Sequence, residues 1–252
     1  MSGEAYDAFM GRYSRPLAVQ FADFAGVSTA QRALDVGCGP GALTGELVKR
    51  LSFENVAACD PSESFVVACA ERNPGVDIRP GSAERLPFDG GSFDVALSQL
   101  VLHFVSDPAA AGIEMARVVR PGGTVAGCVW NFDVGMQMLR AFWDAALTVD
   151  PDAPAEQTVM RFGRSGELGQ WLSAAGMVDV TETTLTVTST YRDFDQLLDG
   201  FTRGIGPAGS FCMSLSPEQR GALRAALYER LGEPPGAITL SAGALAARAT
   251  RP

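Results

Sequence analysis

The chain has 252 residues, of which 46% are apolar and 19% charged, and its formal net charge is −9 at pH 7. This composition is typical of a globular protein and excludes a disordered chain. The negative charge opposes attraction to phosphate backbones, so we expect no nucleic-acid partner. No apolar run approaches the ~20 residues that span a bilayer, and the N-terminal residues lack a secretory pattern. We therefore expect a cytoplasmic protein without membrane contact.

The five cysteines are irregularly spaced, and His103 is the only histidine. An odd number of cysteines without CxxC spacing favours reduced core thiols over a disulfide framework or a zinc site. A single histidine excludes a histidine-based metal cluster. We therefore expect no metal ion.

Short apolar runs alternate with helical patterns in the first half of the chain. Strands are predicted at Ala33–Val36, Val56–Cys59, Val76–Arg79, Phe93–Ser98 and Thr124–Trp130. Helices are predicted at Gly41–Leu51, Ser62–Arg72 and Pro108–Val119. Before them, Glu4–Val27 has a helical pattern, in which Pro16 is expected to break or kink the helix or to start a second one. This βαβ alternation predicts a parallel sheet covered by helices on both faces.

The alternation ends after Asn131. Helices are predicted at Met136–Val149, Ser165–Gly176, Phe194–Arg203 and Pro217–Leu231, and strands at Val178–Thr190 and, more weakly, Ala237–Ala247. The segment Phe201–Gly209 is rich in glycine and is predicted to be a flexible loop, which either borders a binding site or only connects two helices. Arg120–Gly123 is predicted to form a turn without ligand contacts.

The strongest functional signal is the segment Leu34–Gly41, LDVGCGPG, where a strand enters a glycine-rich turn before a helix. Glycines let a ligand approach the backbone closely, and the start of a helix offers free N–H groups. The alternatives are a tight turn that binds nothing and an NAD-dependent oxidoreductase, since Gly37-x-Gly39-x-x-Ala42 fits the relaxed dinucleotide fingerprint. Asp35 at the strand end and Pro40 inside the loop count against the oxidoreductase.

Five segments occur in a characteristic order: LDVGCGPG (34–41), ACDPSESFV (58–66), GSAERLPF (81–88), FDVALSQLVLHFVSDP (93–108) and ARVVRPGG (116–123). On these segments the sequence resembles the class I S-adenosylmethionine (SAM)-dependent methyltransferases, in particular the small-molecule branch of the ubiquinone/menaquinone-biosynthesis type. The resemblance covers about Gln31–Asn131, with a weaker match in Met10–Pro16.

The resemblance implies a Rossmann-like methyltransferase fold of the α/β class. It is a doubly wound, mostly parallel seven-stranded sheet of order 3-2-1-4-5-7-6, in which the last strand is antiparallel. A single domain over 1–252 is expected, with its core at about 28–131. Segments at about 1–27, 132–165 and 192–232 would form a partial helical lid and the acceptor site.

The resemblance also implies which residues bind SAM. Asp35 and the loop residues Gly37, Cys38, Gly39 and Gly41 would hold its methionine part. A carboxylate suits a pair of hydroxyl donors, so Asp60 would bind the ribose; otherwise it only starts a helix. Pro61 and Ser62 would flank the adenine.

Further contacts follow from the same resemblance. Ser82, Ala83 and Glu84 would meet the adenine edge, although the commonest pattern has an aspartate where Ser82 stands. Ser98 and Gln99 end the fourth strand, where ligands of parallel sheets bind. Tyr13 would either lie near the SAM carboxylate or belong to an ordinary surface helix.

His103 has two interpretations. Its ordinary pKa suits a general base that deprotonates the methyl acceptor. The alternative, which we favour, is packing beside the cofactor, because methyl transfer depends mainly on cofactor reactivity and alignment. One apolar set either lines an acceptor pocket or, for most members, belongs to the core: Trp130, Phe132, Met136, Met138, Phe142, Trp143 and Phe162.

The sequence therefore predicts SAM-dependent methyl transfer to an O, N or C nucleophile of a small, partly apolar acceptor. A SAM-binding module without catalysis is the remaining alternative. The expected oligomeric state is a monomer or a homodimer.

Overall fold

The computed structural model describes residues 7–132, 135–155 and 161–252. These residues form one seven-stranded sheet of order β3-β2-β1-β4-β5-β7-β6. The strands are β1 Ala33–Val36, β2 Val56–Asp60, β3 Asp77–Pro80, β4 Phe93–Gln99, β5 Val119–Trp130, β6 Val178–Tyr191 and β7 Ile238–Thr250. The helices are α1 Arg12–Phe24, α2 Ala42–Leu51, α3 Glu63–Arg72, α4 Pro108–Val118, α5 Gln137–Val149, α6 Glu167–Ala174, α7 Phe194–Thr202, α8 Gly206–Ser214 and α9 Pro217–Arg230.

The pairing of the strands confirms the predicted fold. Strands β3, β2, β1, β4 and β5 pair in parallel, whereas β7 lies between β5 and β6 and is antiparallel to both. The carboxyl ends of β1, β2 and β4 therefore lie along one edge of the sheet, where the connecting loops can build a site.

Alternation along the strands divides the core between the two faces of the sheet. In β1, Ala33 belongs to a cluster with Leu17 of α1 and Leu47 of α2, while Leu34 belongs to the opposite cluster with Met115 of α4. Successive strand residues point to opposite faces, so a wholly buried strand supplies both clusters. Helices consequently cover both faces, as the βαβ alternation predicted.

Of the outcomes expected at Pro16, a break of the helix does not occur. Helix α1 runs through Pro16, and a π-helical turn, Asp7–Gly11, precedes it. Proline lacks the N–H that would bond to the carbonyl of Arg12, four residues earlier, and Arg12 is where the π turn gives way to the α-helix. Burial of Leu17 and Phe21 in the core stabilises the helix beyond the proline. The predicted start at Glu4 lies outside the described residues.

Two further local predictions need correction. Within the predicted loop Phe201–Gly209, helix α8 begins at Gly206, because Phe211 of this helix is buried against Trp143 with ring centroids 5.5 Å apart. The predicted turn Arg120–Gly123 lies within the bounds of β5, but as the irregular stretch between the pairs Val119–Phe93 and Thr124–Val95.

The five cysteines are buried free thiols, as predicted. Within the described ranges, none of the helices combines the length and apolar character needed to cross a membrane.

Candidate active site

A cavity of about 290 Å³ lies at the carboxyl ends of β1, β2 and β4, beside the glycine-rich turn. We call it the glycine-loop cavity. Its lining comes from α1, the turn after β1, the end of β2 and the segment after β4: Ser14, Asp35, Gly37, Cys38, Gly39, Pro40, Ala42, Leu43, Asp60, Pro61, Ser62, Phe65, Gln99, Leu100, Val101 and Phe104.

The turn after β1 contains three glycines, and the reason for glycine differs from one position to the next. Gly37, Gly39 and Gly41 all have positive φ, at 76°, 51° and 91°. A Cβ at Gly37 would stand 2.5 Å from a methyl group of Val101, and a Cβ at Gly41 would stand 2.5 Å from the Asn73 amide nitrogen. A Cβ at Gly39 would meet no atom within 4 Å. Gly39 therefore leaves open space on the side of the cavity that it lines.

Asp60 ties the two loops of the cavity together. Its carboxylate accepts hydrogen bonds from the backbone N–H of Gly39 (2.9 Å) and of Ser62 (2.8 Å). Burial raises the pKa of Asp60, and these two N–H donors oppose that rise. Each oxygen keeps a second lone pair, so the carboxylate can still accept from ligand hydroxyls.

Asp35 is the most deeply buried acid of the site, with 1% of its surface exposed. Burial raises its pKa to about 7, although the Thr44 hydroxyl donates to its carboxylate over 2.6 Å and lowers the pKa in part. Near neutral pH this carboxyl is thus poised between its protonated and ionised forms. A cationic ligand would favour the ionised form.

Two residues that line this cavity, Ser14 and Gln99, have buried polar atoms without a hydrogen-bond partner. Among the described residues, the buried side-chain atoms left unpaired are Ser14 Oγ, Ser98 Oγ, Gln99 Oε1 and His103 Nε2. The Gln99 amide nitrogen donates to the Ser14 carbonyl over 3.0 Å, which orients the amide and leaves its oxygen bare. Buried polar atoms are normally paired, so Ser14 Oγ and Gln99 Oε1 indicate a polar ligand in this cavity.

The structure brings together eight of the residues predicted to bind the cofactor. They are Asp35, Gly37, Cys38, Gly39, Asp60, Pro61, Ser62 and Gln99. Gly41 caps the N-terminus of α2 beside the cavity. Leu100, Val101 and Phe104 also line it and were not predicted, because apolar residues after a strand carry no sequence signal for a ligand. Ser14 of α1 and Phe65 of α3 were not named as contacts either, since no local pattern shows which helix residues meet a ligand.

The other predicted contacts do not line this cavity. The Glu84 carboxylate accepts from the backbone N–H groups of Ser106 and Asp107, so it supports the loop before α4. Ser82 forms a backbone bridge with Arg85, and Ala83 is buried in the core. Ser98 is fully buried within β4.

Tyr13 is likewise placed away from the cavity. Its ring is fully buried, edge-on to Trp130, and its hydroxyl accepts a hydrogen bond from Tyr191 over 3.2 Å. Burial raises the pKa of Tyr13. The neighbouring Ser14 lines the cavity instead, so Tyr13 joins α1 to β6.

A second cavity of about 320 Å³, here called the apolar cavity, adjoins the first and shares Phe65, Leu100 and Phe104 with it. Of the predicted acceptor set, Trp130 and Phe132 line it. Met136, Met138, Phe142 and Trp143 belong to the core, and Phe162 lines a separate groove with Trp171. Residues 205–208 also line the apolar cavity, at the start of helix α8.

His103 lines the apolar cavity and not the glycine-loop cavity. Its Nδ1 lies 2.6 Å from the Arg161 carbonyl, and a carbonyl only accepts, so Nδ1 carries the hydrogen. The Phe132 ring is tilted against the imidazole with centroids 5.1 Å apart. Burial lowers the pKa of His103 to about 4. The imidazole is therefore neutral at pH 7, with a bare Nε2.

Comparisons with known proteins agree with this geometry. Residues 34–127 match the family described as the methyltransferase domain. An uncharacterized methyltransferase of Mycobacterium tuberculosis is 41% identical over 104 residues, which are 41% of each chain. The demethylmenaquinone methyltransferase of Paenarthrobacter aurescens is 30% identical over 167 residues, 62% of this chain and 65% of that protein.

A solved structure shows the same fold along the whole chain. It is phosphoethanolamine N-methyltransferase 2 of Haemonchus contortus in complex with SAM, with a TM-score of 0.59 at 17% identity, covering 99% of this chain and 56% of that one. The chain spans only 47% and 41% of the lengths of two other curated relatives. The domain matched over residues 34–127 and the strand order are those of the class I SAM-dependent methyltransferases.

Proposed function

We propose that the chain binds SAM in the glycine-loop cavity and transfers its methyl group to a small molecule in the apolar cavity. The observation that carries the proposal is the contact between two chemically different cavities. One contains two buried acids and unpaired polar atoms, the other is apolar, and Phe65, Leu100 and Phe104 belong to both. A cofactor and an acceptor held side by side need such an arrangement.

The residues of the glycine-loop cavity fit the groups that SAM carries. Its ammonium group is positively charged and donates hydrogen bonds, so it suits the Asp35 carboxylate and the unpaired Gln99 Oε1. The two ribose hydroxyls suit the free lone pairs of Asp60. The open space over Gly39 lets a bulky ligand approach the backbone. Pro61 and Ser62 follow at the turn into α3, where the adenine is proposed to lie.

The bound cofactor would supply an electrophilic methyl group on a sulfonium. The chain's own contribution is then alignment: Asp35, Asp60 and Gln99 orient one partner, and the apolar cavity orients the other. Holding two reactants in a near-attack geometry is worth several kcal/mol of the barrier.

A thermal unfolding experiment tests the cofactor. SAM or S-adenosylhomocysteine is expected to raise the melting temperature, since a ligand that binds only the folded state stabilises it by about 2.7 kcal/mol at one hundred times its Kd. NAD and NADP are expected to leave it unchanged. Stabilisation by a nicotinamide cofactor together with no effect of SAM would refute the proposal and favour the oxidoreductase.

A matched pair of variants locates the effect. Asp35→Asn is expected to abolish most of the SAM-induced shift, because it removes the buried charge that faces the cofactor. Asp199→Asn changes an exposed acid that pairs with Arg203 on α7, outside both cavities, and is expected to keep the full shift. Turnover on an acceptor panel then separates an enzyme from a SAM-binding module without catalysis.

A further inference from the structure

Among the described residues that line the apolar cavity, His103 contributes a buried side-chain nitrogen, Nε2, that has no hydrogen-bond partner. The other described residues that line the cavity are apolar or glycine, with the Met10 thioether and the Trp130 indole N–H as their side-chain heteroatom groups, and none is charged. The imidazole is 8% exposed and Nε2 has no hydrogen-bond partner. An unpaired buried acceptor costs free energy, which a ligand donor can recover.

The structure also determines the form in which His103 meets a ligand. Nδ1–H is committed to the Arg161 carbonyl, and the Arg161 guanidinium in turn donates to the Val105 carbonyl over 3.0 Å. These bonds join the segment at Arg161 to the segment that carries His103. The ring contacts with Phe104 and Phe132 restrain the imidazole further. Nε2 is therefore a fixed acceptor, and it cannot donate to a carboxylate or phosphate in this tautomer.

We propose that the methyl acceptor is a compact, uncharged, largely apolar molecule with one hydroxyl group that donates to His103 Nε2, as a phenol does. This inference rests on the proposed function. A volume of about 320 Å³ has room for about ten water-sized groups, enough for one or two fused rings. Free amines and phosphate esters are disfavoured, because the described lining offers no opposite charge.

In the methyl transfer, His103 would act as the proton acceptor. The hydroxyl oxygen forms a bond to the methyl carbon, and the carbon–sulfur bond breaks with its electron pair going to sulfur. The hydroxyl proton passes to Nε2, which becomes part of an imidazolium. A protonated ether is a much stronger acid than an imidazolium, so the transfer is downhill even for a histidine of low pKa. The products are a methyl ether and S-adenosylhomocysteine.

Because His103 is the only histidine, its ring nitrogens can be observed directly in the intact protein. Nitrogen-15 NMR of histidine-labelled protein, saturated with S-adenosylhomocysteine, is measured with 2-naphthol and with 2-methylnaphthalene. The chemical shift of Nε2 is expected to change with 2-naphthol and to remain unchanged with 2-methylnaphthalene. The chemical shift of Nδ1 is expected to remain unchanged with both probes. Equal responses of Nε2 to the two probes, or no response to either, would overturn the inference.

Two variants convert this contact into an affinity. His103→Asn keeps a donor for the Arg161 carbonyl and removes the Nε2 acceptor, whereas His103→Gln keeps an acceptor near the position of Nε2. For each protein, the Kd of 2-methylnaphthalene is divided by the Kd of 2-naphthol. Comparing this ratio between wild type and variant cancels the difference in hydrophobicity between the two probes. We expect His103→Asn to lower this ratio about tenfold, the scale of one hydrogen bond, and His103→Gln to lower it less.

The variants also separate this inference from the proposed function. S-adenosylhomocysteine affinity is expected to be unchanged in His103→Asn. A loss of that affinity with an unchanged probe ratio would contradict the inference and return His103 to packing beside the cofactor. Failure of SAM and S-adenosylhomocysteine to bind the wild-type chain would refute the proposed function, whatever the naphthol result.

Discussion

Replacing Gly39 by alanine tests where the cofactor lies. The added methyl group meets no protein atom within 4 Å, so the expected cost to stability is only that of a non-glycine residue at φ 51°, about 1–2 kcal/mol. Gly39 lines the glycine-loop cavity, however, and the methyl group would occupy the cofactor's space. SAM affinity is therefore expected to fall at least about tenfold, or about 1.4 kcal/mol.

Gly176→Ala is the matched control. Gly176 has φ 81°, and a Cβ there also meets nothing within 4 Å, but the residue follows α6 and lines neither cavity. It is expected to lose a similar stability without a change in SAM affinity. Chemical denaturation measures the first quantity and titration calorimetry the second. If Gly39→Ala binds SAM as tightly as Gly176→Ala does, the cofactor does not contact the glycine-rich turn and the reasoning fails.

Three further outcomes are expected. SAM affinity is expected to rise with pH up to about 7, because the ligand favours ionised Asp35, and binding near pH 6 should therefore release a proton. Calorimetry in buffers of different ionisation heat counts the released protons. SAM binding without proton release would contradict this role of Asp35. Asp60→Ala weakens SAM binding by roughly 1.5–3 kcal/mol in the same titration, unless Asp60 only organises its loops. Because the pKa of His103 is lower in the folded than in the unfolded chain, the free energy of unfolding is expected to fall as the pH is lowered from 6.5 to 4. Denaturant titrations should show a smaller fall for His103→Asn.

The sequence predicts most of the sheet because its signals are local. Each of the strands β1, β2 and β4 is a short buried run, and the turn between β1 and α2 is marked by glycines that the backbone needs. The acids Asp35 and Asp60 end neighbouring parallel strands, so the topology alone brings them to one cavity. These parts of the site follow from patterns within a few residues of each other.

What the sequence could not predict involves contacts between distant parts of the chain. Tyr13 is held by Tyr191, 178 residues later, and no local pattern indicates that partner. Helix α8 forms from a glycine-rich segment because Phe211 is buried against Trp143, so tertiary packing overrides weak helix propensity. The apolar set shows the same limit: most of its members belong to the core, as expected, but the sequence pattern does not tell that Phe142 faces the core while Phe132 lines the apolar cavity.

Native mass spectrometry of the purified protein tests the central claim most directly. The ions are expected to carry a bound mass equal to that of SAM or S-adenosylhomocysteine, either retained from purification or after addition of SAM. Asp35→Asn is expected to lose most of this adduct, because the buried carboxylate that faces the ligand is gone. A nicotinamide dinucleotide as the retained ligand, or no adduct with SAM in large excess over the protein, would contradict the assignment of the glycine-loop cavity to SAM.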